Sequence, residues 1–85
     1  MGRQELRNAI FNLVEYYTQY ELSDQAKKLI LHYFNESKEG SAYDRALQAI
    51  SRYYADDLPP VEEMPERLKS MMARLKREAD AWDAE

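Results

Sequence analysis

The chain has 85 residues, no cysteine and a formal net charge of −4 at pH 7. A chain of this length makes one domain that buries about two-thirds of its unfolded surface, which excludes a large second domain. Without cysteine there is no disulfide framework and no thiolate metal site, so we expect a reducing compartment and a cytoplasmic protein.

The sequence predicts no attachment to a membrane. No apolar run approaches the roughly 20 residues that a transmembrane helix needs. The first six residues, from Met1 to Leu6, lack the apolar stretch of a signal peptide and the Ser or Thr of a myristoylation signal. We therefore expect no membrane partner.

An apolar pattern is repeated three times along the chain. Its unit is Ala, then Leu or Ile four residues later, then an aromatic pair seven and eight residues after the Ala, at residues 9–17, 26–34 and 46–54. Residues at these spacings lie on one side of an α-helix. The pattern predicts three amphipathic helices that build a shared core.

Local signals mark where these helices begin and end. Ser23 is a plausible N-cap for the second helix, and Gly40 suits the left-handed backbone that follows it. Ser41 and Asp44 form a near capping box for the third helix. Helices are predicted, in chain order, over residues 3–20, 24–37, 42–55 and 65–82.

Residues 56–64 predict an ordered linker, because Pro59 and Pro60 remove amide donors and favour extended backbone. Pro65 suits the first turn of a fourth helix. The apolar stripe of that helix spans only about 100°; it consists of Leu68, Met71, Met72, Leu75, Ala79 and Trp82. Acidic residues after Arg77 lie at the negative end of the helix dipole, so we expect the last turn to fray unless a partner holds it.

These elements predict an all-α fold. Four helices with short connections are typical of a compact four-helix bundle or an orthogonal α-array. No stretch alternates at period two over the length of a strand, so no sheet is expected. We expect residues 1–85 to form a single helical domain.

The charge is segregated along the last third of the chain. Residues 56–66 sum to −5, residues 67–77 to +5 and residues 78–85 to −4. The acidic linker, which contains Asp56, Asp57, Glu62 and Glu63, would supply charge complementarity to a partner, and the amphipathic fourth helix would supply an apolar edge. The first hypothesis is a non-enzymatic protein-protein interaction or regulatory module.

The basic block of the fourth helix supports a competing hypothesis, a nucleic-acid-binding regulator. The basic side chains of this helix do not converge on one face, since the arginines lie on one flank of the apolar stripe and the lysines on the other. They also stand four residues from acidic side chains; the pairs are Glu63 with Arg67, Arg74 with Glu78 and Lys76 with Asp80. A solvated helix face is the favoured interpretation, and nucleic acid stays an alternative.

A structural homo-oligomer is a third hypothesis. Several apolar residues of the last third fall close to heptad spacing, broken at Glu78; they are Met64, Leu68, Met71, Leu75 and Trp82. Such a seam fits a homodimer through helix four or a helix that docks on a partner. It fits packing on the chain's own domain equally well, and that interpretation is preferred.

Two further groups are candidates for partner binding. The tyrosines are interpreted mainly as core side chains with hydroxyls at the rim, and Tyr16, Tyr20 and Tyr53, nearest the stripe edges, are the expected exceptions. Phe11 and Leu31 lie off the main stripe of their helices, so we expect them at the surface. If they met there, they would form an apolar patch.

The sequence contains no motif for catalysis, for a cofactor or for a metal. His32 is the only histidine, and it lies opposite the apolar face of its helix, as a surface histidine does. The linker acids lack the order of a calcium-binding loop, and there is no phosphate-binding or dinucleotide-binding loop. We expect a protein that is not an enzyme and has no cofactor.

Two stretches resemble known families. Tyr43, Ala46, Ile50 and Pro59 are similar to the second half of a tetratricopeptide repeat, although Tyr53 stands where that family has Ala. The pair formed by Tyr53 and the residue after it, followed by acids and Pro, resembles the colicin nuclease immunity proteins, which are small, acidic and four-helical. Their third helix is short, whereas the one predicted here is long. No site is carried over from either family.

Overall fold

The computed structural model describes residues 2–55 and 58–85, without the side chains of residues 2 and 3. The helices, in chain order, are α1 (Gly2–Thr18), α2 (Asp24–Glu36), α3 (Ala42–Tyr54) and α4 (Glu66–Asp83), and a short 3₁₀ turn (Val61–Glu63) precedes α4. The described residues contain no strand. The predicted all-α class is confirmed, and these bounds differ from the predicted ones by at most two residues.

The helices form a compact globule of 31 × 27 × 22 Å. α4 packs mainly along α1, α2 packs on α3, and α3 also contacts α4. All four helices send side chains to one core; its most deeply buried large members are Leu6, Ile10, Leu13, Val14, Ile30, Ile50 and Leu75. Each helix therefore depends on its neighbours for burial of its apolar face.

The aromatic pairs of the repeated pattern lie mostly at the edge of this core. Phe34 is buried at 3% exposure, but Tyr54 is 38% exposed. The other rings of the pattern, Tyr16, Tyr17, Tyr33 and Tyr53, are half-buried against the core. The smaller residues Ala46 and Ile50 fill the centre of α3 instead.

The predicted caps are present. The Ser23 hydroxyl accepts a hydrogen bond from the Ala26 amide at 3.1 Å. The Ser41 hydroxyl accepts from the Asp44 amide at 3.2 Å, and the Asp44 carboxylate accepts from the Ser41 amide at 3.3 Å, which completes the capping box. Gly40 has φ +91°, and a Cβ there would lie 3.0 Å from the Asp44 side chain, so glycine is required for both reasons.

Two other residues adopt left-handed backbone without being glycine. Gln19 follows α1 with φ 65°, and Ala55 ends α3 with φ 61°. An L-residue in this region brings its Cβ too close to the next carbonyl, at a cost of roughly 1–2 kcal/mol. At the end of α3, the side chain of Ala55 therefore lowers the stability of the fold.

We predict that Ala55→Gly raises the free energy of unfolding by about 1 kcal/mol, because glycine removes the Cβ from a left-handed residue. The matched control is Ala73→Gly, at an exposed position in the middle of α4, where glycine should lower stability by about 1 kcal/mol. Urea denaturation of both variants measures the two changes. A loss of stability in both would contradict the left-handed assignment of Ala55.

The C-terminal turn of α4 is tied to the start of α3. The Asp83 carboxylate accepts hydrogen bonds from the Ala42 amide at 3.0 and 3.3 Å. One residue earlier, the Trp82 ring packs edge-on against Phe34 with centroids 5.6 Å apart. A carboxylate that is unfavourable for the dipole of α4 thus lies at the positive end of α3, and α4 continues to Asp83. The fraying of this turn stays a prediction.

Removing this carboxylate should weaken the fold. We predict that Asp83→Ala lowers the free energy of unfolding by about 1–2 kcal/mol, since it leaves an N-terminal amide of α3 without its acceptor. Asp80→Ala removes an exposed ion pair with Lys76 in the preceding turn and should cost less than about 0.5 kcal/mol. Thermal or urea unfolding compares the two, and equal losses would contradict a specific role for Asp83.

The apolar stripe of α4 packs against the core of the same chain. Leu68, Met72, Leu75 and Ala79 are buried, and Met71 and Trp82 are partly buried against the core. The preferred interpretation, in which the fourth helix packs on its own domain, is what the structure shows. Among the described residues, no helix is long and apolar enough to cross a bilayer.

Candidate functional site

The acidic linker borders an open apolar groove between α3 and residues 58–64. The groove has a volume of about 330 Å³. It is lined by Tyr43, Leu47, Ser51, Leu58, Pro59, Pro60, Val61, Met64 and Met72. We call it the linker groove.

Helical spacing and proline produce the two walls of the linker groove. Tyr43, Leu47 and Ser51 are four residues apart on one face of α3, which spaces them over about 12 Å at 1.5 Å per residue. On the opposite wall, Pro60 adopts polyproline-type backbone with φ −56° and ψ 145°. The space between the two walls is open.

A single 3₁₀ turn then brings the chain into α4. The Glu63 amide donates to the Pro60 carbonyl at 2.9 Å, and the Met64 amide donates to the Val61 carbonyl at 3.1 Å. Met64 is buried, whereas Val61 is 43% exposed. Met64 thus anchors this wall of the groove in the core, while the Val61 side chain is partly exposed at the groove.

The turn that contributes Val61 to the linker groove also carries two acidic side chains. Glu62 and Glu63 are exposed, and within residues 2–55 and 58–85 neither forms an ion pair. The lysines on the α4 side are paired: Lys69 Nζ lies 3.6 Å from Glu66, and Lys76 Nζ lies 3.0 Å from Asp80. The other two predicted linker acids, Asp56 and Asp57, lie outside the described residues.

Tyr43 offers the linker groove a hydroxyl that stays protonated. Burial raises the pKa of Tyr43 above its ordinary value of 10.0; the charge of Lys76 opposes this effect and that of Asp44 adds to it. Lys76 Nζ lies 5.2 Å from the centroid of the Tyr43 ring. The hydrogen bond to Asp80 is the main reason why the pKa of Lys76 is also raised. At neutral pH, Tyr43 is therefore an uncharged donor beside a charged ammonium.

The raised pKa of Tyr43 predicts a loss of stability at high pH. The folded state holds this proton more tightly than the unfolded state, so its contribution is present below the ordinary pKa of 10.0 and is lost as pH rises through the folded pKa. Stability should fall less steeply above pH 10.0 in Tyr43→Phe than in the wild type. Denaturant titrations over that range measure the slope. Tyr20→Phe, at an exposed position, is the control, and equal slopes for wild type and Tyr43→Phe would contradict the prediction.

A second groove lies at the end of the molecule where α1 and α3 finish. It has a volume of about 550 Å³ and is lined by Thr18, Tyr20, Glu21, Leu22, Ser23, Ala26, Tyr53 and Tyr54. The structure brings together two of the three predicted edge tyrosines, Tyr20 and Tyr53, while Tyr16 lies in an adjoining depression with Tyr20 and Arg67. We call this the tyrosine groove.

The exposure of the tyrosines differs in part from the prediction. Tyr20 is 78% exposed, as expected for a stripe edge, and Tyr16 and Tyr53 are half-buried. Tyr54 was not singled out, yet it is 38% exposed and packs edge-on against Tyr17 with centroids 5.0 Å apart. Tyr54 is the last residue of α3, so no further helical turn follows to cover its ring. This position is the signal in the sequence that could have predicted its exposure.

Phe11 is not a surface residue. It is only 9% exposed and belongs to the core, and Lys27 Nζ of α2 lies 5.6 Å from the centroid of its ring. The prediction from α1 alone was wrong because side chains from another element cover this flank of the helix. Leu31 is half-buried against the core and lines a small depression with Phe34 and Trp82. The two residues therefore do not make an exposed apolar patch.

The remaining polar candidates have structural partners. His32 is exposed, as predicted, and its Nε2 lies 3.2 Å from Glu36, which also lies 3.5 Å from Arg52. In the basic block, the Arg67 guanidinium lies 5.4 Å from the centroid of the Tyr16 ring. Among the residues that the structure describes, no group of three His, Cys, Asp or Glu side chains could hold a metal ion.

Comparison with known proteins finds no match to a family model, to a curated protein or to a solved structure. The two resemblances noted in the sequence gain no support from this result. α3 has 13 residues, so the short third helix of the immunity proteins is not reproduced. Inferences about function therefore rest on the geometry of the chain itself.

Proposed function

We propose that this chain is a non-enzymatic protein-binding module that docks a segment of another protein into the linker groove. The observation that carries the proposal is an open groove with apolar walls, two of whose lining residues, Val61 and Met64, flank the exposed Glu62 and Glu63 in the chain. An apolar centre surrounded by a polar rim is the usual anatomy of a protein interface. The groove beside the exposed acids supports this proposal.

The lining of the linker groove suits an occupant of variable shape. Met64 and Met72 contribute flexible, polarisable side chains that pack against differently shaped groups. The volume of about 330 Å³ is at the small end of binding pockets. Few side chains can be buried in it, which favours a weak and rapidly reversible complex of the kind found in regulation.

The contribution of α4 is smaller than the sequence hypothesis assumed. Most of its apolar stripe is buried in the core, so the helix cannot offer that stripe to a partner without unfolding. What it adds to the linker groove is Met72. For the same reason a homodimer through the stripe of α4 has less support than docking at the groove, and sedimentation of the whole chain tests for such a dimer.

Nucleic-acid binding through the basic block is the competing function, and it has weaker support. Arg67 lies over Tyr16, while Lys69 and Lys76 pair with acids on the same helix. A nucleic acid would have to displace these contacts and approach acidic neighbours. Binding to a DNA duplex with a steep loss of affinity as salt rises would support this alternative.

A selection from a displayed library of random peptides tests the proposed function. Peptides enriched on the immobilised wild-type chain should bind Val61→Asn about tenfold more weakly, because a polar amide replaces an exposed apolar side chain at the groove; a factor of ten corresponds to about 1.4 kcal/mol. Isothermal titration calorimetry or fluorescence anisotropy measures each affinity.

Leu29→Asn is the matched control. Leu29 lies on α2, away from the linker groove, and its exposure of 41% is close to the 43% of Val61. This variant should bind the selected peptides as the wild type does. Failure to enrich any peptide, or peptides that are insensitive to Val61→Asn, would refute docking at the linker groove.

A further inference from the structure

We infer that the linker groove accepts a positively charged segment, in which one or two aliphatic or aromatic anchor residues are flanked by Lys or Arg. This inference rests on the proposed function and names the chemistry of the partner. Two features of the same surface carry it: the apolar walls of the groove and the excess of negative charge along one of them.

Among the described residues of this segment, Glu62 and Glu63 carry negative charge that no ion pair neutralises. Residues 56–66 carry five acidic and no basic side chains, a charge of −5 in 11 residues. Of these, Glu66 pairs with Lys69 at 3.6 Å, whereas Glu62 and Glu63 stand exposed in the turn next to Val61. At physiological salt, charges act over a Debye length of about 8 Å. Glu62 and Glu63 therefore act on side chains that flank an anchor inserted beside Val61.

The interior of the linker groove selects for the anchor. Its volume of about 330 Å³ is space that water molecules can enter. Leu47, Leu58 and Val61 offer these waters few hydrogen bonds, so their release by an apolar side chain is favourable. The hydroxyls of Tyr43 and Ser51 lie on the α3 wall, where they can bind the backbone or a polar side chain of the occupant.

The charge also argues against the other occupants. A second copy of this chain that docked groove to groove would bring its Glu62 and Glu63 toward those of the first copy, and like charges in apposition at an interface cost several kcal/mol. A nucleic acid would be repelled for the same reason. A basic segment of another protein is the occupant for which both the apolar walls and the rim are favourable.

The first readout is the composition of the peptides that bind the linker groove. Among library peptides whose binding is weakened by Val61→Asn, Lys and Arg should be enriched beside the apolar anchors. The best peptide is then made in two further forms, with every Lys and Arg replaced by Ser or by Glu. The Ser form should bind at least tenfold more weakly, and the Glu form should bind more weakly still.

The second readout is kinetic and uses variants of the protein. The double variant Glu62→Gln with Glu63→Gln should lower the association rate of the basic peptide roughly threefold to tenfold at low salt, with little change in its dissociation rate, because exposed charges act mainly on encounter. The control, Glu21→Gln with Glu39→Gln, removes the same charge from two exposed positions that neither line the groove nor belong to the linker, and it should change the rate much less. Surface plasmon resonance measures both rates.

The outcomes separate this inference from the function on which it rests. Groove-binding peptides that are neutral or acidic, or equal binding by the basic and Ser forms, would overturn the inference and leave the protein-binding function standing. An equal loss of association rate in the two double variants would overturn it too, since the effect would then belong to net charge and not to the linker. If no peptide binds at Val61, the proposed function itself fails.

Discussion

Burial of the α4 stripe against the rest of the chain is the constraint on which the other features depend. Leu68, Leu75 and Ala79 lose nearly all of their solvent exposure when α4 packs along α1 and contacts α3. To reach that position, the chain has to leave the end of α3 and return toward α1 through residues 58–65. Pro60 is extended and a 3₁₀ turn (Val61–Glu63) follows it, and between this return and α3 the space is open. The linker groove is the space that this path leaves open.

The same packing requires that the far end of α4 be held. Three contacts meet where α2, α3 and α4 approach one another: Asp83 accepts from the Ala42 amide, the Trp82 ring packs on Phe34, and the Arg45 guanidinium lies 4.3 Å from the centroid of the Phe34 ring. Arg45 also donates to the Phe34 carbonyl at 3.2 Å, so it satisfies an acceptor in the last turn of α2. A small domain without disulfides gains from such a junction, because one site couples three helices.

The features that the sequence predicted well are those that depend on neighbours along the chain. The helices follow from apolar spacing, and Ser23, Gly40 and the Ser41–Asp44 pair act within one turn of where they stand. Features that depend on neighbours in space were harder to predict. The burial of Phe11 requires knowledge of what covers the flank of α1, and the role of Asp83 requires a partner 41 residues away.

The candidate site shows the same division. Charge segregation identified the acidic linker, and stripe edges identified tyrosines that do meet at one end of the molecule. The linker groove itself was not predictable, because its walls come from α3 and from a segment whose path is set by the packing of α4. Helical spacing places Tyr43 and Leu47 on one face of α3. They become part of a surface because the proline-rich segment lies beside them without covering them.

The fold also changes the meaning of the charge pattern. Along the sequence, a block of −5 is followed by a block of +5, which suggests mutual neutralisation. In the structure, Arg67 instead lies over the Tyr16 ring on the α1 side, and Lys76 pairs with Asp80 one turn further along α4. Arg67, Lys69 and Lys76 are thus in contact with groups other than Glu62 and Glu63, which form no ion pair among the described residues. Since exposed charges mainly accelerate encounter and a small groove limits burial, a complex formed here would assemble quickly, dissociate quickly and respond to ionic strength.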